Sequence, residues 1–494
     1  MSRIYNSTRD HNCDQGCCCR REFLQAAGVA LGAAAIPPTI GASSEVKSPA
    51  QPREKKPTRV AAAFVYTPSA QLKEEGYWSW PGSSFNPEEQ QKVFSARLAE
   101  VARRLDVQVD VEAEPLAEDQ AVARFIGQVK KDPPDGLLIF VFKKYLCGLA
   151  ERILSETKLP TVASVPLGTL LNQTILAWKK RSGAYLIDAE RDDEALADSL
   201  QMFCAARWMK DSRLINVAGS ESKETVVPCL GVQVKTIPNA DFFRAFKAVE
   251  TTAEVRQLAQ AYRAQAREIV EPTPDDMLEA ARCYYALKSV LWAECGDALM
   301  MDCLPGLAHP RQHVPPCMAF MSLHDEGIVA GCQADLDPAL TMMLGTRLLG
   351  KSGFMHNGSW NIAENLYFGA HCTCPRKMNG PDAPELPYII RSHNEAGWGC
   401  VPQVLFPDDQ PATLVRYCSD RSPRMFVLPG KITCCYPKLS GGCRTNFSMR
   451  IDGVDYLEQA KLLSTYGHFV LFFGDHGKQL ETFCKLHGIE VIDA

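Results

Sequence analysis

Gly331-Cys332-Gln333-Ala334-Asp335-Leu336-Asp337-Pro338, followed by Phe354-Met355-His356 and Gly369-Ala370-His371-Cys372, is the stretch around which the rest of the chain is read. The apolar run from Ile328 to Cys332 delivers Gln333 and Asp335 to a strand end, where period-2 alternation directs both to one face. A helix then begins, with Asp337 as the expected N-cap, Pro338 at the first helical position and Gly350 as C-cap. Leu340, Met343, Leu344 and Leu348 form its apolar stripe. A second strand, Leu366 to Ala370, ends on His371. Side chains at neighbouring strand ends of an open α/β sheet meet in one crevice, which makes Gln333, Asp335, His356 and His371 candidates for a single site.

At 494 residues the chain is too long for one core, and a prior of roughly 100–200 residues per domain gives about three. Apolar residues at 46% and charged residues at 22% describe an ordinary soluble globular composition. Lys plus Arg is 53 against 58 for Asp plus Glu, so no basic face suggests nucleic acid.

Residues 1–42 read as a twin-arginine signal: Arg20-Arg21-Glu22-Phe23-Leu24-Gln25 precedes a weakly apolar stretch from Ala26 to Ile36. That stretch is too short to span a bilayer, so no stable membrane insertion is expected once the signal is cleaved, and the expected location is periplasmic or extracytoplasmic. Cleavage would remove four arginines against Asp10, Asp14 and Glu22, taking the formal charge from −5 to about −6. Of the 20 cysteines, four lie in this segment, and many of the others sit inside apolar runs, as buried free thiols do. Cys372-Thr373-Cys374 and Cys434-Cys435 lack the paired spacing of a zinc framework.

Residues 43–58 are a Pro-rich linker. From there, strand and helix patterns alternate, predicting an N-terminal α/β domain over 59–170 and a central α/β domain over 171–355. Thr252–Ile269 reads as one long helix, and Cys303-Leu304-Pro305-Gly306 as a strand and turn. Past residue 356 the period shortens: Ala412–Cys418, Met425–Leu428, Lys431–Tyr436 and Thr445–Ile451 are β-rich, with Pro429-Gly430 read as a break. The fold class is therefore α/β, with two Rossmann-like parallel-sheet units followed by a β-rich C-terminal domain, an antiparallel barrel or sandwich, over 356–494. No GxGxxG or Walker loop follows the first strand, so the pattern alone implies no nucleotide.

Nine of the ten histidines lie at or after His309, which places the chemistry in the C-terminal half. His356, His371 and His468 each adjoin an apolar run. Gly331-Cys332-Gln333-Ala334-Asp335, Gly353-Phe354-Met355-His356, Gly369-Ala370-His371 and Tyr466-Gly467-His468-Phe469-Val470 resemble, in order and approximate spacing, the site segments of the L-fucose and L-arabinose isomerase family. That resemblance implies a sugar-isomerase-like architecture, a homo-oligomer, and interconversion of an aldose and a ketose, on a pentose or deoxyhexose, through an enediol. It also implies a divalent metal, manganese in the family, on Gln333, His356, His371 and His468. Gln333 stands where the family has Glu, and His356 where it has Glu or Asp. The softer, His-rich set shifts preference toward zinc, cobalt or nickel. Proton transfer would then fall to Asp335 or Glu326, while Arg391, His393 and Trp360 could contact the sugar. Two other functions fit the same residues: a non-catalytic sugar- or metal-binding relative, or a hydrolase with a three-histidine metal.

Overall fold

In the computed structural model, the described residues are 55–76, 80–165, 172–187, 193–420, 422–438, 441–454 and 467–492. The expected signal segment, most of the linker and Tyr466 lie outside them. Among the described residues no helix is long and apolar enough to cross a membrane.

Five short apolar runs form the first sheet: Thr58–Val65 (β1), Val107–Val111 (β2), Gly136–Val141 (β3), Thr161–Ser164 (β4) and Ala184–Ile187 (β5). They pair in parallel in the order β2-β1-β3-β4-β5. Strand β3 is buried at every residue, as a parallel strand covered on both faces must be. Helix Pro87–Leu105 covers one side; Asn86 caps it by accepting from the Glu89 amide, and Pro87 occupies its first turn.

The second sheet repeats the scheme with Arg213–Val217 (β6), Lys223–Val226 (β7) and Gln233–Ile237 (β8). After a two-residue strand, Glu268–Ile269 (β9), it is completed by Ala298–Met301 (β10) and Ala330–Cys332 (β11), in the order β11-β10-β6-β8-β7 with only β7 antiparallel. The long helix expected over Thr252–Ile269 stops at Gln265. Arg267 and Val270 instead donate their amides to Tyr388 and Ile390, which draws β9 into another sheet. The segment after Cys303 is a short helix, Leu304–Leu307, rather than a strand and turn.

The C-terminal part contains Phe354–Asn361 (β12), Leu366–His371 (β13), Tyr388–Arg391 (β14) and Val401–Val404 (β15). Pro411–Cys418 (β16), Arg424–Cys434 (β17), Thr445–Ile451 (β18), His468–Phe473 (β19) and Glu490–Ile492 (β20) follow. Strand β14 pairs with β9 on one side and β15 on the other, and the others form one sheet, β16-β19-β12-β13-β18-β17-β20. A further antiparallel pairing of β16 with β17 closes it into a barrel. Pro429-Gly430 does not break β17, because Pro429 lies opposite Thr413 and Gly430 opposite Ile451. A side chain at Gly430 would collide with the backbone of Arg450, so glycine is what allows β18 to approach.

Helix Leu336–Leu349 joins the second sheet to the barrel and is buried along most of its length. At Gly345 a Cβ would meet the Phe472 ring of β19, so the helix lies directly on the barrel wall. Gly350 ends it in the left-handed conformation, as the sequence indicates. This contact brings the C-terminal ends of β10 and β11 against one end of the barrel.

Candidate active site

Strand β11 ends at Cys332, one residue before the expected site. Gln333 and Ala334 then both adopt the left-handed region, with φ of 54° and 49°. For residues other than glycine that costs about 1–2 kcal/mol each, and strain of this kind concentrates at functional sites. The Ala334 amide is held by the Met301 carbonyl of β10 at 3.0 Å, which fixes the turn. Gln333 and Asp335 are thus not two residues of one extended face. The turn sends Gln333 to a cleft and Asp335 toward β19.

Asp335, rather than Asp337, occupies the N-cap position of helix Leu336–Leu349, but its side chain caps nothing. Its Oδ2 accepts from Nδ1 of His468 at 2.9 Å and lies 3.7 Å from the Arg416 guanidinium. Burial alone would raise the Asp335 pKa; the hydrogen bond from His468 and the charge of Arg416 outweigh it and hold the carboxyl below its usual range. Asp337 accepts from the backbone and hydroxyl of Ser419 at 3.1 and 2.5 Å, and Arg416 reaches it at 3.3 Å.

The barrel supplies the opposite side. Asn357 of β12 pairs with His468 of β19 and with Ala370 of β13, next to His371. The rings of His371 and His468 are 5.2 Å apart between centroids, at 66°. Both are nearly buried, and Nε2 of each has no hydrogen-bond partner. Nδ1 of His371 accepts from the Thr373 amide at 3.4 Å, which leaves its proton on Nε2. Burial first, and neighbouring histidines second, push the His371 pKa well below its ordinary value. In His468 it is Nδ1 that meets a partner, the Asp335 carboxylate, while Nε2 has none. The arrangement therefore sets the Nε2–H of His371 beside an imidazole, His468, that is backed by a carboxylate.

The adjoining cleft is lined by Gln333, Asn357, His371, His393 and Glu395, with Leu304 and the cysteines 303, 317, 332, 372 and 443 completing it. About 330 Å³ of space, open solvent included, lies within it. His393 has its Nδ1 bonded to the Ala396 amide at 3.1 Å, and burial lowers its pKa.

The other residues singled out in the sequence lie elsewhere. His356 is fully buried in the barrel: its Nδ1 bonds to the Phe354 carbonyl and its Nε2 to the Tyr367 hydroxyl, both at 2.9 Å. Its ring packs edge-on against Phe447, 4.9 Å between centroids, and burial pushes its pKa down to about 3. Glu326 pairs with Lys288 at 2.7 Å and accepts from the Tyr284 hydroxyl, away from the cleft. Arg391 is bound to Glu271 at 2.7 Å and to Gln403. Trp360 packs edge-on against Tyr367.

Of the four expected metal ligands, then, Gln333, His371 and His468 gather, and His356 does not, because both of its nitrogens are engaged. Among the described residues no three His, Cys, Asp or Glu side chains are arranged to hold a metal ion. Strand alternation explains the difference: adjacent residues point to opposite faces, so when His356 enters the core Asn357 reaches the cleft. Asn357, which lines the cleft, and Arg416, beside Asp335, carry no motif in the sequence. The first could have been found from that alternation; the second, deep in an all-buried run of β16, carries no local signal.

No protein-family model matches the chain. A curated relative, the sulfoquinovose isomerase of Clostridium sp. (strain MSTE9), is 25% identical over 253 residues, which cover 50% of this chain and 54% of that enzyme. The chain thus spans about half the length of the relative it matches. At that distance the likeness supports a function of the sugar-isomerase kind and does not fix the substrate.

Proposed function

We propose that the protein interconverts an aldose and its ketose by moving a proton between adjacent carbons through an enediol, with the sugar seated in the cleft beside His371. The observation that carries this reading is the Asp335–His468 hydrogen bond beside the unpartnered Nε2 atoms of two buried imidazoles. The likeness to a sugar isomerase supports it.

In the proposed reaction the neutral Nε2 of His468 takes the proton from the carbon next to the carbonyl. Asp335 stabilises the imidazolium that forms. Nε2–H of His371 donates to the carbonyl oxygen, where negative charge grows as the enediol develops. The His468 imidazolium exchanges its proton with solvent and protonates the neighbouring carbon, while hydroxyl protons redistribute between the two oxygens. Gln333, Asn357 and His393 line the cleft and supply hydroxyl partners. Glu326, Arg391 and Trp360 have no part in this scheme.

A divalent cation is a second reading, favoured by one feature. A carboxylate behind Nδ1 of a histidine, as Asp335 stands behind His468, is also the support found behind metal-bound imidazoles. Gln333 and His468 would hold such an ion, joined by His371 only in its other tautomer, at the loss of the Thr373 hydrogen bond, and the ion would polarise the sugar oxygens. The remaining positions would have to come from sugar or water.

The test is conversion of a panel of aldoses, sulfoquinovose included, by the purified protein before and after chelation. Ketose formation that survives chelation supports the histidine scheme. Activity lost on chelation and restored by manganese, cobalt or zinc supports the metal reading. No ketose from any aldose overturns both.

A further inference from the structure

Five cysteines line the cleft, and all are free thiols. Cys303 and Cys332 stand apart from the rest because their Sγ atoms lie 3.5 Å apart, in direct contact. Topology puts them there. Strands β10 and β11 are parallel neighbours with Met301 opposite Cys332. Cys303 follows two residues after Met301, where the chain has left the sheet and entered the short helix Leu304–Leu307. The bond length of a disulfide is about 2.05 Å, so closure needs the sulfurs to approach by about 1.5 Å. Cys303, just past the end of its strand, is the partner able to move. Both cysteines are nearly buried and line the cleft.

We infer that Cys303 and Cys332 are a modification site that closes to an intramolecular disulfide on meeting a low-molecular-weight disulfide. One thiolate attacks a sulfur of the reagent, breaking its S–S bond, releasing one small thiol and leaving a mixed disulfide. The second cysteine attacks the protein sulfur of that mixed disulfide and releases the second small thiol. The two protein thiols lose two protons and two electrons, and the reagent gains both. The bond lies directly before the left-handed pair Gln333–Ala334, so it ties the turn that places Gln333 and Asp335 to the end of β10. Oxidation therefore acts on the cleft itself, whatever the cleft binds.

The test treats the full chain with oxidised glutathione, blocks remaining thiols with iodoacetamide in denaturant, and maps the peptides by mass spectrometry. Trypsin leaves Cys295 with Cys303 and Cys317 with Cys332, so chymotrypsin is added to cut after Leu299 and Phe320. The expected result is a linked pair of peptides carrying Cys303 and Cys332, each lost from the alkylated pool and both recovered after dithiothreitol. A Cys372→Ser variant is expected to form the same link. Recovery of both cysteines alkylated, glutathione adducts that never resolve, or a link between Cys372 and Cys443 in its place would overturn the inference.

Discussion

Replacing Asp335 by Asn tests the pairing on which the proposed chemistry rests. The amide keeps the shape of the carboxylate and removes its charge. It weakens the 2.9 Å bond from Nδ1 of His468 and the attraction of Arg416 at 3.7 Å, while Arg416 retains Asp337 at 3.3 Å. A hydrogen bond to a charged partner in a part-buried setting contributes about 1.5–3 kcal/mol. Asp335→Asn is expected to lower stability by that amount at pH 7, read as a shift in urea midpoint at unchanged slope. The pH dependence carries a sign. The folded Asp335 pKa lies below its unfolded value, so its contribution is complete above about pH 4 and is lost as pH falls through the folded pKa. The two proteins should therefore converge in acid. Turnover should fall about 10²–10⁴-fold, because the imidazolium at His468 loses its counter-charge. A variant with wild-type stability, the same pH profile and full turnover would refute the reasoning.

Three further outcomes follow from buried groups. His356→Leu leaves the Phe354 carbonyl and the Tyr367 hydroxyl without partners and should cost about 2–4 kcal/mol in chemical denaturation, while turnover of the remaining folded protein is unchanged; a selective loss of turnover or of bound metal would place His356 in the site after all. Arg376→Met strands Asp325, its buried partner at 2.7 Å, and should cost about 3–5 kcal/mol, largely recovered in the double variant with Asp325→Asn; equal loss in single and double variants would contradict the pairing. His324 and His487, pushed down by burial to about 4, and His356, to about 3, are neutral when folded, so the unfolded chain takes up their protons first. Their contribution is complete above about pH 6.5 and falls by about 1.4 kcal/mol per pH unit for each group as the solution is acidified toward the folded pKa; His324→Gln should lower the proton uptake on unfolding at pH 5 by nearly one, and an unchanged uptake would show that His324 is charged in the fold.

Much of the frame is legible in the residues, because buried parallel strands and capped helices carry local signals. The alternation of strands and helices read after the linker is there as five parallel strands, and Gly350 ends its helix as read. The C-terminal change to short strands does belong to an antiparallel sheet, here closed into a barrel. Errors arise where a distant contact decides. Glu268–Ile269 would extend a helix by propensity, yet joins β14 because Tyr388 and Ile390 offer carbonyls. Pro429-Gly430 looks like a break but is accommodated in β17, since its neighbours need glycine rather than a turn. Motif spacing picks out Gln333, His371 and His468, and strand ends bring His371 beside His468 and Gln333 into the same cleft as His371. It misplaces His356, because a one-residue alternation decides which of His356 and Asn357 enters the core. No local pattern announces that Asp335 will turn away from its helix to support His468, because that depends on two consecutive left-handed residues and on a strand more than a hundred residues downstream.

The most direct measurement of the central claim is solvent exchange. The wild-type protein and a His468→Gln variant are incubated in deuterated water with each aldose of the panel, and deuterium at C2 of the aldose and C1 of the ketose is followed by proton magnetic resonance. The account predicts ketose bearing solvent deuterium with the wild-type protein and none with the variant, under conditions where both are folded. Equal exchange by the variant, or exchange with neither protein for any sugar, would contradict the assignment of His468, supported by Asp335, as the group that moves the proton.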